Sequence, residues 1–381
     1  MYKMLKKIIC LVLFLFSLFL FTGCDIVINV LDKLGIEIPG VELPNIEAGV
    51  GNLTSEDVEV IGDSSFSIHF LEVGNKYTGD CTYVKAGDID ILIDAGSRKN
   101  SASTIINYID QFCTDNTLEY VIATHAHQDH IAGFVGLSNS EGIFDHYNTE
   151  IIIDYAKTNA TSQIKQEYES LRDEEVKNGA SHYTALECWY ELDGAKRDYQ
   201  LTNDITMSIL YQKFYEEETN DENDYSVCLL FNDNNGNNYL LTGDLEHEGE
   251  ESLIEENDLP QCLLFKGGHH GSPTSNTPEL LKIIKPQIVC VCCCCGSDEY
   301  TSNIANIFPS QQFVNNVAPY TDAIYVTTII SEDGESFTSM NGNIIIYFKE
   351  NEMTLRCTKD NKKFKDTDWF KQNRVKPNNW N

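Results

Sequence analysis

Positive charge is scarce in this sequence. Twenty-seven Lys and Arg stand against 59 Asp and Glu, for a formal net charge of −32. Acidic runs at Glu216–Asp224 and Glu246–Asp258 concentrate that excess. Such a surface repels a polyanion, so long nucleic acid is disfavoured as a partner. No apolar run reaches the roughly 18 residues of a membrane span; the longest, Ile8–Phe21, holds 14 and is broken only by Ser17. No internal repeat at a solenoid period is visible. The 13 cysteines form no spaced framework, because five of them crowd into Cys290–Cys295. Neighbours on one strand seldom converge on a tetrahedral zinc, and vicinal disulfides are strained. That run is expected to be a buried central strand of small residues, with Cys290, Cys292 and Cys294 on one face and Cys293 and Cys295 on the other. Histidine is also rare, with nine in 381 residues.

The apolar fraction, 42%, is that of a soluble globular chain. Residues 1–23 differ from the rest. Lys3, Lys6 and Lys7 precede the apolar run, and Thr22-Gly23-Cys24 ends it. This is the layout of an export signal. Small residues before a cysteine resemble a bacterial lipoprotein processing site, which implies Cys24 as the lipidated first residue of the mature chain. Phe21 departs from that pattern, where Leu is usual. The expectation is a protein anchored to the outer face of a bacterial membrane, or secreted, with an uncleaved N-terminal anchor as the alternative. Loss of the three leader lysines would leave a charge of −35. Residues 24–63, with Pro39 and Pro44, read as a spacer with a short helix near Val27–Leu34. A large domain is expected over 64–355, followed by a basic, aromatic segment over 356–381. Between Arg356 and Lys376, eight basic residues face three acidic ones, with Phe364, Trp369 and Phe370 among them. The segment would pack by its aromatics or touch anionic head groups or a wall polymer.

The most informative stretch is Thr124-His125-Ala126-His127-Gln128-Asp129-His130. Tyr120–Ala123 before it reads as a buried strand. In extended chain, side chains at i and i+2 share a face, so His125 and His127 can hold one cation together. Asp129 and His130 sit at the turn into an apolar, helix-like stretch, placed to reach a second cation. Imidazole and carboxylate donors suit zinc first, with manganese or iron as further candidates.

This pattern resembles the His-x-His-x-Asp-His signature of the metallo-β-lactamase superfamily. Four further blocks resemble its ComEC-type competence branch and the stand-alone relatives of that branch. They are Phe70–Gly74 with Gly79-Asp80, then Ile91–Gly96, Leu240–Asp244 and Lys266–Ser272. The resemblance covers roughly residues 66 to 350. It implies an α/β fold, a four-layer αββα sandwich with one or two divalent ions at one edge of two sheets. It also implies roles. Metal ligands would be His125, His127, Asp129, His130, Asp244 and His270, with Asp244 bridging the two ions and Asp94 supporting the site from behind. Asp129 and His269 would act on the substrate. Adjacent side chains diverge, so only one of His269 and His270 is expected on the second metal; His270 is preferred, and His269 is the oxyanion or leaving-group contact. Asn223, Ser226 and Lys266 are candidate substrate contacts, with a loop cap as the alternative for the first two.

The usual third histidine of the first metal is not evident; His146, His182 and His247 are the spare ones. His69 lies in an alternating strand and reads as structural. The expected reaction is metal-assisted hydrolysis of a phosphodiester, with a small or neutral-bodied substrate at the cell surface. An amide, ester or lactone hydrolase is the runner-up, and a non-catalytic surface-binding module the non-enzymatic alternative.

Overall fold

Several strands are buried along most of their length, and such strands need cover on both faces. Ile288–Cys295 is buried at all eight positions, and Ile89–Ile93 at four of five. The computed structural model describes residues 45–46, 51–349 and 352–380. The expected leader, Cys24 and the helix near Val27–Leu34 lie outside the described residues.

Two mixed sheets meet these demands for cover. In the first, Thr82–Ala86 pairs with Ile89–Ile93, and the parallel strands Thr117–Ile122, Asn148–Asp154 and Ser181–Thr184 follow in order. On its other side Ser67–Phe70, Ile344–Lys349 and Glu352–Cys357 run antiparallel to one another. In the second sheet Asn238–Leu241, Leu264–Lys266, Ile288–Cys295 and Ile324–Ile330 are parallel. Cys228–Asp233, Ile205–Leu210 and Asp198–Gln200 extend one side of it, and Phe337–Ser339 closes the other.

The inner faces form one core, in which Phe66, Ile68, Phe70 and Val84 meet Leu229, Phe231, Tyr239, Cys290 and Cys292. Phe66 and Tyr239 lie with ring centroids 5.0 Å apart. Helices Ser101–Ile109 and Gln128–Val135 bury their apolar sides on the outer face of the first sheet. Pro278–Ile284, Gln311–Val317 and Asp368–Asn373 do so on the second. The result is the four-layer αββα sandwich. Each large side chain taken from water into such a core stabilises it by about 1.5–3 kcal/mol.

The cysteine run is a central strand. Cys290 and Cys292 face the inter-sheet core, while Cys293 and Cys295 face the outer helices. Among the described residues every cysteine is free and buried. A register shift lies between Val291 and Cys294, where the strand passes under the site.

Segments on both sides of the central domain are built into the sandwich further than composition suggests. Asn45–Ile46 adds a short parallel strand beside Thr354 and Leu355. Helix Ser55–Gly62 starts from a Thr54–Asp57 capping box and buries Ile61. Part of the expected spacer therefore belongs to the domain, because the Asp57 carboxylate also bridges Arg356 at 2.5 and 2.8 Å. In the basic C-terminal segment, Lys363 and Lys365 pair with Asp322. Arg374 stacks on Trp369 and donates to the carbonyls of Ile304, Ile307 and Pro309. Among the described residues no helix is long and apolar enough to cross a membrane.

Candidate metal centre

Ligands in open sheets gather beyond the carboxyl ends of parallel strands. Four such ends converge here. Ile89–Ile93 leads into Asp94 and Thr117–Ile122 into His125, while in the other sheet Asn238–Leu241 leads into Asp244 and Leu264–Lys266 into His269 and His270. Asp94, His269 and His270 have φ of 58°, 45° and 55°. Three non-glycine residues in the left-handed region at one place mark a backbone bent to aim side chains.

Asp129, His130, Asp244 and His270 form one buried cluster, with ligand-type atoms all within 4.8 Å of one another. The Asp244 Oδ2 atom lies 3.0 Å from His130 Nε2 and 3.1 Å from His270 Nε2. Asp129 Oδ2 is 3.4 Å from His270 Nε2. Donors around a tetrahedral ion with bonds of about 2.05 Å stand roughly 3.3 Å apart, so these spacings fit a divalent metal. Two atoms of the cluster, Asp244 Oδ1 and His270 Nε2, are buried without a hydrogen-bond partner. Such orphans are expected where an ion completes the set.

Both histidines present Nε2 to the cluster for a visible reason. His130 Nδ1 lies 2.7 Å from Asp94 Oδ2. His270 Nδ1 lies 2.8 Å from the Cys292 carbonyl and 3.2 Å from Asp80 Oδ1. Acceptors at Nδ1 keep the proton there and leave the Nε2 lone pair for a ligand. Asp94 also accepts from Thr124 N and Oγ1, each at 2.8 Å, which fixes the loop carrying the histidines. Charge balance points the same way. Burial opposes a charged His130, yet Asp244 and Asp94 raise it well above its ordinary value. Burial would raise Asp244, yet His130 and His270 hold it well below the carboxylate range. The carboxylates have created a place for positive charge.

His125 and His127 lie alongside. Their Nε2 and Nδ1 atoms are 3.0 Å apart, and the rings of His125 and His130 are 4.1 Å apart. The structure thus brings all six expected ligands together, with His270 rather than His269 in the cluster. No third histidine joins His125 and His127 among the described residues. His146 pairs with Glu141 and Asp110, His182 with Asp154, and His247 lines a cleft together with Glu246 and Glu248, outside the cluster. His69 is buried between Ser67 and Tyr108.

The remaining candidates divide. His269 stays outside the cluster, with Nδ1 3.0 Å from Glu246 Oε1 and its ring against Phe308. Ser226 is buried, lies with Oγ 3.4 Å from His125 Nδ1 and accepts from Asp244 N at 3.0 Å. Asn223 is buried and donates to Glu246. Lys266, expected as a substrate contact, is instead 3% exposed. Its ammonium pairs with Asp80 and donates to the Gly243 carbonyl at 3.0 Å. The strand carrying it runs through the middle of the second sheet, so its side chain balances carboxylates from beneath the site rather than meeting a substrate.

Two contributors were missed. Asp80, which ties Lys266 and His270 together, sits in the Gly79-Asp80 block that the sequence already singled out. Tyr300 donates to Asp129 Oδ2 at 2.7 Å from a loop 171 positions away, and nothing in the sequence signals it. Beside His269 opens a cleft of about 770 Å³ lined by Glu218, Asp221, Asp224, Glu246 and Glu248 among others. Burial and the neighbouring carboxylates push Asp224 up to about 6.

Residues 74–158 match the Metallo-beta-lactamase superfamily model. ComE operon protein 3 of Bacillus subtilis (strain 168) is 25% identical over 171 residues, which span 45% of this chain and 19% of that relative. Among solved structures, the metallo-beta-lactamase fold protein YhfI from Bacillus subtilis is 12% identical, covering 69% of this chain and 95% of its own at a TM-score of 0.39. A metallo-beta-lactamase from Cronobacter sakazakii is 14% identical, covering 51% and 72% at a TM-score of 0.30. The superfamily match and the buried cluster support a metal-dependent hydrolase. Over residues 74–158 the chain is similar to the metallo-beta-lactamase superfamily, and over 45% of its length it resembles a ComEC-type relative.

Proposed function

We propose that the protein hydrolyses a phosphodiester at the bacterial cell surface. The observation that carries the reading is the Asp129–His130–Asp244–His270 cluster lying directly beside His125 and His127. Two adjacent cation positions suit in-line displacement at phosphorus, where attacking and leaving oxygens both need stabilising. His125 and His127 would hold one ion and the four-residue cluster the other, with Asp244 shared between them. Divalent ions bound there supply Lewis acidity and lower the pKa of water.

The chain's own groups complete the chemistry. Asp94, Asp80 and the Cys292 carbonyl hold the ligand histidines in one tautomer and orientation. The Asp129 carboxylate faces the same space and is placed to take a proton from the attacking water. His269 is fixed through Nδ1 by Glu246, while its Nε2 has no hydrogen-bond partner among the described residues. That leaves Nε2 to contact the departing or charged oxygen of the substrate. The acidic cleft beside it favours a small or neutral-bodied diester over a long polyanion. Lys3, Lys6, Lys7, the apolar run and Cys24 support export and a lipid anchor. Stable anchoring needs more than one acyl chain. The Cys24→Ala chain should then remain unprocessed; a soluble mature chain with a different first residue would remove the lipid.

The test is a panel of chromogenic phosphodiester, phosphomonoester, ester and lactone substrates with the zinc- or manganese-loaded protein. The diester should be turned over fastest, with activity lost on chelation and restored by metal. Preference for the lactone or ester would move the assignment to the runner-up. A protein that binds no metal and turns over none of them would be a binding module.

A further inference from the structure

Tyr300 stands the wrong way round for a packing residue. A tyrosine kept for its bulk buries the ring and leaves the hydroxyl wet. Here the residue is 50% exposed, while its hydroxyl points inward to Asp129 Oδ2 at 2.7 Å. Among the described residues that oxygen is its one hydrogen-bond partner. The same oxygen lies 3.4 Å from His270 Nε2, inside the four-residue cluster.

The surrounding loop, Gly296–Ser310, is tied down on every side. Glu299 accepts from Arg98 Nη2 at 2.7 Å and from Thr78 N at 3.0 Å, which fixes the residue next to Tyr300. The Phe308 ring lies 5.4 Å from that of Tyr300, and 5.6 and 5.9 Å from those of His269 and His270. Gly296 N donates to the Phe308 carbonyl, and Ser310 N to the Gly271 carbonyl. Behind the loop, Arg374 reaches three of its carbonyls. Carboxylate ligands are oriented by hydrogen bonds from groups held rigidly behind them.

We propose that Tyr300 is a positioning residue of the metal centre: its O–H occupies one lone pair of Asp129 Oδ2 and so fixes the direction from which that carboxylate meets a cation. The proposal rests on Asp129 being a metal ligand. Its O–H needs no substrate to act, so metal affinity reads it out independently of turnover. The Gly296–Ser310 loop is then the frame of the centre, and the C-terminal segment braces that frame through Arg374.

The test uses the full-length chain, purified in detergent, stripped of metal and titrated with zinc or cobalt(II) against a competing chelator. Tyr300→Phe keeps the ring and deletes the hydroxyl. It should weaken the cation bound by the cluster by about ten- to a hundred-fold, the usual effect of losing such a partner. The His125–His127 cation should be unchanged, and the cobalt spectrum should shift for one ion only. With a small phosphodiester, kcat should fall while KM holds. Glu299→Gln, which loosens the loop but keeps the hydroxyl, should give a smaller loss in the same direction. Wild-type affinity for both cations in Tyr300→Phe would overturn the proposal and leave the hydrolase reading intact. A wild-type chain that takes up no cation would overturn both.

Discussion

Asp94→Asn tests the support of the metal centre with the least disturbance elsewhere. Asp94 accepts three short hydrogen bonds, from Thr124 N, Thr124 Oγ1 and His130 Nδ1. Its φ of 58° is one that Asn adopts readily, so the backbone is not at issue. With the amide oxygen kept on Thr124 N, the amide nitrogen must face Thr124 Oγ1 and His130 Nδ1. The hydroxyl can turn and accept. The imidazole can accept only by moving its proton to Nε2, the atom aimed at Asp244. A protonated Nε2 is no ligand. The variant should therefore bind the cluster's cation about 10- to 100-fold more weakly, or about 1.4–2.8 kcal/mol at about 1.4 kcal/mol per decade. Asp94→Ala is a different perturbation. It leaves three buried donors unpaired at about 1–3 kcal/mol each, enough to destabilise the fold itself. Chelator competition and urea unfolding of the metal-free protein separate the two effects. Asp94→Asn with wild-type affinity for both cations would refute the tautomer argument.

Other consequences follow from the cleft and the packing. Asp224 titrates near 6 rather than 3.8 in the fold, so its stabilising contribution is full below about 3.8 and is lost as pH rises through about 6. Asp224→Asn, neutral throughout, should gain about 1–2 kcal/mol on the wild type between pH 4 and pH 7; an equal difference in urea midpoint at both would contradict this. Gly133 sits in a helix, where alanine ordinarily gains about 1 kcal/mol. A Cβ there would come within 2.1 Å of the Ala95 carbonyl oxygen, so Gly133→Ala should cost about 1–3 kcal/mol in thermal or urea unfolding. Duplex or single-stranded DNA should bind weakly, without the steep loss on adding salt that phosphate contacts give; tight, salt-sensitive binding by anisotropy would overturn the charge argument.

How much was legible follows from distance along the chain. The His125–His130 stretch carries its chemistry locally: the i, i+2 alternation of an extended segment fixes which side chains share a face, and the hydrophobic run before it fixes the strand. The cysteine run shows its two faces by the same period at Cys290, Cys292, Cys293 and Cys295, while Cys294, past the register shift, joins neither core. Strand ends rich in Gly and Asp announced the remaining candidate ligands, because a sheet edge is where a chain can turn and carboxylates can gather. What the sequence could not decide was anything set by approach through space. Adjacent histidines at 269 and 270 are equivalent on paper; only the left-handed turn at each and the Cys292 carbonyl send 270 inward and 269 toward Glu246. Lys266 looked like a contact for substrate until its strand was found in the middle of a sheet, with Asp80 folded over its ammonium. Tyr300 and Asp129 meet across 171 residues. Local periodicity is a property of the backbone and is written in order along the chain; the partner of a buried charge is whichever group the packing of two sheets delivers, and only the tertiary structure decides that.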